Sequence, residues 1–160
     1  MRRIFLVLCL FAAVGVYADT PAKHPHLSMA QDLITQAFDR ISDAQKANEF
    51  DMGGHAKKAK NFLDQASQEL KLAAVEANPT GGKKMEGKSG ASMNQQGTNV
   101  SGAKHPNLAA AQQMINDAFM HIGEAQKANE FDLGGHAAKA KDYLEQANAE
   151  LKLAAESANH

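Results

Sequence analysis

The stretch that decides the fold is GGHAKKAKNFLDQASQELKLAA, residues 53–74, which returns as GGHAAKAKDYLEQANAELKLAA at residues 134–155. Alanine or leucine recurs every three or four residues, the spacing that places side chains on one stripe of an α-helix. In the first copy this stripe comprises Ala56, Ala59, Leu63, Ala66, Leu70, Ala73 and Ala77. Because alanine is the best helix former, both stretches predict a helix that begins just after a glycine turn.

The repeat extends well beyond this stretch. Residues 22–78 align without gaps to residues 103–159 at an offset of 81, with 37 identities in 57 positions. Upstream of the glycines each copy has a second apolar stripe: Ala30, Ile34, Ala37, Ile41 and Ala44, then Ala111, Ile115, Ala118, Ile122 and Ala125. Each copy therefore predicts two antiparallel helices, a helical hairpin.

The two hairpins together predict an all-α protein, a four-helix bundle made of residues 22–78 and 103–160. A lone hairpin of this size, without disulfides, buries too little apolar surface to be stable. Between them, residues 79–102 contain six of the twelve glycines in the chain and predict a flexible linker. Its reach of roughly 25–30 Å constrains the packing only loosely. We expect an up-down-up-down order of helices.

The first eighteen residues predict a signal peptide, and hence a secreted or periplasmic protein. Arg2 and Arg3 precede an apolar stretch over residues 4–16, and Ala18 offers a small residue for cleavage. The stretch is too short to span a membrane. Cys9, the only cysteine, is removed with it, so disulfides and thiolate sites are excluded from the mature chain.

Charge and motifs exclude two further classes of function. The whole chain has a net charge of −1, and loss of Arg2 and Arg3 leaves 15 basic against 18 acidic side chains, or −3. This balance gives no basic surface for nucleic acid. The sequence contains no Gly-x-Ser-x-Gly motif and no distinctive pair of carboxylates, so we predict that the protein is not an enzyme.

The segment between the helices of each hairpin predicts a metal site. His55 and His136 follow glycine pairs and lie close in sequence to four carboxylates: Glu49, Asp51, Glu130 and Asp132. Imidazole and carboxylate ligands without thiolate suit Cu(II), Ni(II) or Zn(II). Turn chemistry is the competing interpretation, because every residue type in this segment also has a role in turns.

The other histidines divide into a cluster and a single residue. In an up-down-up-down bundle four of them meet at one end: His24, His26, His105 and His160. His55 and His136 then meet at the opposite end, roughly 30 Å away for helices of about 20 residues. These six histidines are the candidate metal ligands, whereas His121 in the middle of a helix is predicted to be a surface residue.

A resemblance to a known family rests on two turns, Gly54-His55 and Gly135-His136, and on the alanines that flank them. A secreted, alanine-rich chain of two such hairpins resembles the small metal-binding proteins of the bacterial periplasm. The resemblance implies that histidines bind copper and other divalent metals. Four residues stand in helical regions where that family has histidine: Gln65, Leu72, Gln146 and Leu153. It therefore implies a few metal sites at most.

A second hypothesis is a non-catalytic structural or protein-interaction module. The segments between the helices contain Phe50 and Phe131, which we expect either to close the ends of the bundle or to face a protein partner. Repeated hairpins would in that case present helix faces or these loops to the partner.

Overall fold

A computed structural model describes residues 24–47, 52–77, 100–128 and 133–159 of the chain. Within these ranges the secondary structure is helical, without a strand, and the helices pack as a four-helix bundle, which confirms the predicted fold class. The four long helices are α1 (Pro25–Ala47), α2 (His55–Glu76), α3 (Pro106–Ala128) and α4 (His136–Ser157). Short left-handed turns, Met52–Gly54 and Leu133–Gly135, lead into α2 and α4.

The helices begin at residues suited to that position. Pro25 and Pro106 open α1 and α3, where the missing N–H costs nothing because the first turn of a helix has no partner for it. By contrast, α2 and α4 follow Gly54 and Gly135, both in the left-handed conformation and without a side-chain cap. Only glycine adopts this conformation without strain, so the glycine pairs fix where these two helices start.

One bulky side chain in each turn closes an end of the bundle. Met52 has φ 47° and Leu133 has φ 50°, although a left-handed backbone costs a residue with a side chain about 1–2 kcal/mol. Both side chains are 1% exposed, and full burial of such a side chain contributes about 1.5–3 kcal/mol, enough to offset the strain. Phe50 and Phe131, which we expected in this role, lie outside the described residues.

The turn glycines give a testable prediction. A Cβ at Gly53, where φ is 62°, would lie 2.9 Å from Ser157 Oγ and 3.1 Å from His55 Cδ2. We expect Gly53→Ala to lower the free energy of unfolding by about 1–3 kcal/mol in urea titrations followed by circular dichroism. Gly123→Ala is the matched control: it lies inside α3, and its Cβ would meet only Lys141 Nζ, at 3.8 Å. That control should gain about 0.5–1 kcal/mol. Equal effects of the two variants would contradict this account of the turn.

The predicted apolar stripes form the core. Their members are buried in both copies, apart from Ala77 and Ala158, which are partly buried at the ends of α2 and α4. The large side chains that fill the space between the alanines are fully buried, among them Ile41, Leu63 and Leu144. The periodicity of the sequence therefore predicted the core correctly.

The most extensive packing joins the two copies rather than the two helices of one hairpin. Helix α2 packs mainly against α4 and α1 mainly against α3, whereas α1 with α2 and α3 with α4 make fewer contacts. Each hairpin is nevertheless antiparallel. Lys60 Nζ near the start of α2 donates to Ser42 Oγ near the end of α1, at 3.4 Å. The alanine stripes therefore serve the contact between hairpins more than the contact within each hairpin.

The order of the helices differs from the expected up-down-up-down arrangement. His55 at the start of α2 contacts Glu150 near the end of α4, and His136 at the start of α4 contacts Glu69 in α2. Helices α2 and α4 are therefore antiparallel, and the observed order is up-down-down-up. The expectation was wrong because a linker of this length can run along the bundle, which frees the hairpins to pair head to tail.

The two hairpins are related by an approximate two-fold axis. Phe62 and Tyr143 occupy equivalent positions in the two copies, and their rings stack on each other with centroids 6.4 Å apart. A residue meets its own equivalent only on such an axis. Duplication of one sequence thus produced an interface in which the same face is used twice, as in a symmetric homodimer.

The chain joins the bundle before α3 begins. Val100 is 2% exposed, and its backbone N–H donates to Oε1 of the buried Gln112, at 3.3 Å. Val100, two residues before the end of the predicted linker at residue 102, is therefore part of the core. None of the described helices combines the length and the apolar character needed to cross a membrane.

Candidate functional site

The two histidines that follow the glycine pairs each contact a carboxylate from the other hairpin. His55 Nδ1 lies 2.6 Å from Glu150 Oε2, and His136 Nδ1 lies 2.6 Å from Glu69 Oε2. Because an ionised carboxylate only accepts hydrogen bonds, Nδ1 carries the proton and donates it in both pairs. The two pairs are equivalent under the two-fold axis and lie at opposite ends of the bundle.

These pairs are largely shielded from water. The histidine side chains are 22% and 20% exposed, and those of Glu150 and Glu69 are 18% and 16% exposed. A charge-assisted hydrogen bond in such surroundings is shorter and stronger than one between neutral groups. Each pair therefore holds the first turn of one helix to the last turns of a helix from the other copy.

The first glycine of each pair lies against the imidazole ring two residues later in the chain. A Cβ at Gly53 would lie 3.5 Å from His55 Nε2, and a Cβ at Gly134 would lie 3.1 Å from His136 Cδ2. Each turn also packs against the end of a helix from the other hairpin. Since Nδ1 is engaged by glutamate, Nε2 is the ring nitrogen that remains for a ligand.

The structure separates the histidines that we expected to cluster. His105 lies at the end of the bundle that contains His55, and its Nε2 is 3.3 Å from Asn159 Oδ1. His24 and His26, at the start of α1, lie at the end that contains His136. The head-to-tail pairing of the hairpins, which places one turn at each end, explains the difference. His160 lies outside the described residues.

The carboxylates beside these histidines in the structure are not the ones that the sequence predicted. Outside the described residues lie Glu49, Asp51, Glu130 and Asp132. Among the residues that are described, no three His, Cys, Asp or Glu side chains converge closely enough to hold a metal ion. Glu69 and Glu150 were missed because their pairing depends on helix order. The sequence gives one indication of their role, which is that Glu69 and Glu150 occupy equivalent positions in the two copies.

A second pair of imidazoles was also missed. His26 Nδ1 at the start of α1 lies 3.5 Å from His121 Nδ1 near the end of α3, with ring centroids 5.8 Å apart. Both residues are half-buried. Their equivalents in the other copy are Asn107 and Arg40, so the pair occurs once. No repeat or spacing could have indicated it, because the contact depends on the antiparallel register of α1 and α3.

Lysines inside the two hairpins have a structural role. Lys60 Nζ lies 4.8 Å from the Phe38 ring centroid, and Lys141 Nζ lies 4.4 Å from that of Phe119. Burial lowers the pKa of Lys141, while the charge of Glu145 opposes this effect. Because both copies repeat the same cation–π contact, we interpret it as part of the packing between the helices of a hairpin.

Comparison with known protein families, curated proteins and solved structures gives no match for this chain. The resemblance to periplasmic metal-binding proteins stays a prediction.

Proposed function

We propose that this chain is a secreted or periplasmic protein that binds divalent metal ions, copper above all, and is not an enzyme. The proposed ligands are His55 at one end of the bundle and His136 at the other. The proposal is supported by the geometry of these histidines, by the carboxylates near them in sequence and by the signal-like residues 1–18.

The histidine–glutamate pairs carry the proposal. Metal-binding histidines commonly donate the N–H of their second ring nitrogen to a carboxylate, which fixes the tautomer and makes the other nitrogen a better ligand. His55 and His136 have this arrangement, with Nδ1 held at 2.6 Å by a glutamate of the other hairpin. Nε2 of His55 then lies beside Gly53, which has no side chain of its own to cover that nitrogen.

The remaining ligands come, in this proposal, from the segment before each glycine pair. Glu49 and Asp51 precede His55 by six and four residues, and Glu130 and Asp132 precede His136 by the same intervals. One imidazole with one or two carboxylates is a donor set for a borderline divalent ion, and Cu(II) binds such sets most tightly in the first-row series. Two equivalent sites per chain follow from the duplication.

Calorimetric titration of the mature chain with Cu(II) tests the proposal. We expect two ions per chain with a dissociation constant below about 10 μM, one after His55→Ala and none at these sites after His55→Ala with His136→Ala. His105→Ala is a control at the same end as His55 and should leave both sites intact. Unchanged stoichiometry in the double variant would overturn the proposal.

A second pair of variants separates metal binding from a purely structural role. Glu150→Gln and Glu69→Gln keep the histidine ligands but remove the carboxylates that orient them. We expect each change to weaken Cu(II) binding about 10–100-fold at its own end of the bundle. If these variants lowered only the free energy of unfolding and left the affinity unchanged, the pairs would be structural contacts alone.

A further inference from the structure

The His26–His121 pair lies outside the proposed copper sites and is poorly suited to a hydrogen bond. Nitrogen–oxygen hydrogen bonds in proteins fall mostly between 2.7 and 3.2 Å, and contacts near 3.5 Å are weak. The two Nδ1 atoms are 3.5 Å apart, and at most one of them can carry the proton of such a bond. A hydrogen bond therefore gives a weak account of why these nitrogens face each other.

The same separation suits two ligands of one metal ion. With metal–nitrogen distances of about 2.0–2.1 Å, nitrogens 3.5 Å apart subtend about 113–122° at the metal, close to a tetrahedral angle. An ideal tetrahedron needs about 3.3 Å, a shift of about 0.2 Å. The nitrogens lie almost on the line between the ring centroids, so each ring must also turn by about 30° for its lone pair to point at the ion. Square-planar coordination of Cu(II), with neighbouring ligands at 90°, would need about 2.9 Å and a larger movement.

We propose that His26 and His121 bind one Zn(II) ion that bridges α1 and α3, a site that occurs once per chain. Zn(II) prefers tetrahedral coordination by neutral imidazole, and either ring nitrogen serves as its ligand. Water fills the two remaining positions, since no third metal-binding side chain converges on this pair among the described residues. The proposal is independent of the copper sites at His55 and His136.

An acidic and a basic side chain, Glu124 and Lys127, lie near the pair. Glu124 lies one helical turn after His121 on α3. The hydrogen bond and charge of Lys127 lower the pKa of Glu124. Glu124 is therefore an ionised carboxylate near the pair, with one oxygen 2.9 Å from Lys127 Nζ.

The chain provides a matched control for this site. Position 107 is equivalent to His26 and position 40 to His121, so the two-fold axis places Asn107 and Arg40 at the corresponding point of the bundle. Replacing both residues with histidine should build a second site with the same geometry. Loss of zinc binding could reflect a lower number of histidines in the chain. A new site that appears only where the geometry is reproduced is harder to explain in that way.

The experiment uses the mature chain with His55→Ala and His136→Ala, so that it does not depend on the copper sites. Calorimetry with ZnCl₂ should give one ion per chain in this background. Adding His26→Gln or His121→Gln should weaken binding at least 10-fold, while adding Arg40→His with Asn107→His should raise the count to two. Circular dichroism checks that each variant is folded.

A bridging ion should also stabilise the bundle, because it binds the folded chain alone. We expect ZnCl₂ to raise the melting temperature of the background chain and to have no such effect after His26→Gln. Zinc binding unchanged by both glutamine variants would overturn the proposal, as would failure of the folded Arg40→His, Asn107→His chain to gain an ion. Loss of copper binding at His55 and His136 would leave this result untouched.

Discussion

Residues 22–78, produced without the second copy, should form a homodimer. In the whole chain α2 and α4 pair about an approximate two-fold axis, and the residues that make this interface are nearly the same in both copies. A second molecule of the first hairpin therefore offers the same face as the second hairpin. His55 of each molecule would meet Glu69 of the other, which reproduces the pairs of the intact chain twice.

The effect is large because folding and association become one process. A lone hairpin leaves its alanine and leucine stripe in water, and a domain of this size without disulfides is marginal. Helicity and melting temperature should therefore fall on dilution, by about 1.4 kcal/mol of apparent stability per tenfold change in concentration. Light scattering coupled to gel filtration measures the mass, and a stable helical monomer would contradict the prediction.

A charge on the two-fold axis gives a sharper test of the same dimer. Phe62 stacks on its equivalent, Tyr143, in the whole chain, so Phe62→Asp would place two carboxylates face to face in the homodimer. We expect that change to abolish the dimer and its helicity. Lys71→Asp, on the exposed side of α2, alters charge in the same direction and should leave the dimer in place.

Much of this fold could be predicted from local patterns. The three- and four-residue spacing of alanine, leucine and isoleucine identified the core, because burial on one face of a helix depends only on the helical period. The glycine pairs marked the turns, since residues at positive φ are the least tolerant of a side chain. Both features are encoded within one copy of the repeat.

The direction in which the two hairpins pack could not be predicted from local patterns. A hairpin with one apolar face packs on a second hairpin in either direction, and the long linker permits both. The choice depends on side chains distant in sequence, such as His55 with Glu150. The predicted positions of the histidines were wrong for the same reason. An alternating order of helices placed His55 and His136 at one end, and it did not bring His26 into contact with His121.

Deleting residues 80–97 should convert the monomer into a dimer in which the hairpins of two chains are exchanged. Helix α2 ends beside the turn of the second hairpin, where a Cβ at Gly134 would lie 2.9 Å from Glu76 Cγ. Val100 lies level with Gln112, 16 residues before the end of α3. At 1.5 Å per residue, the linker must cover about 24 Å along the bundle.

The shortened linker cannot cover that distance while Val100 stays in the core. Four residues would remain between Ala77 and Val100, and a fully extended chain of five Cα–Cα steps reaches about 18 Å. Each hairpin must then pair with a hairpin of another molecule, using the same His55–Glu150 and His136–Glu69 contacts. Light scattering should therefore give at least twice the monomer mass, with helicity retained.

Deleting residues 80–87 is the matched control. It leaves fourteen residues between Ala77 and Val100, enough to reach about 50 Å when extended, so that chain should stay monomeric. In an up-down-up-down bundle α2 would end where α3 begins, and both deletions would give monomers. A folded monomer from the longer deletion in which the Val100 amide stays protected from hydrogen exchange would therefore refute the head-to-tail pairing itself, and with it the contact of α1 with α3 on which the zinc site depends.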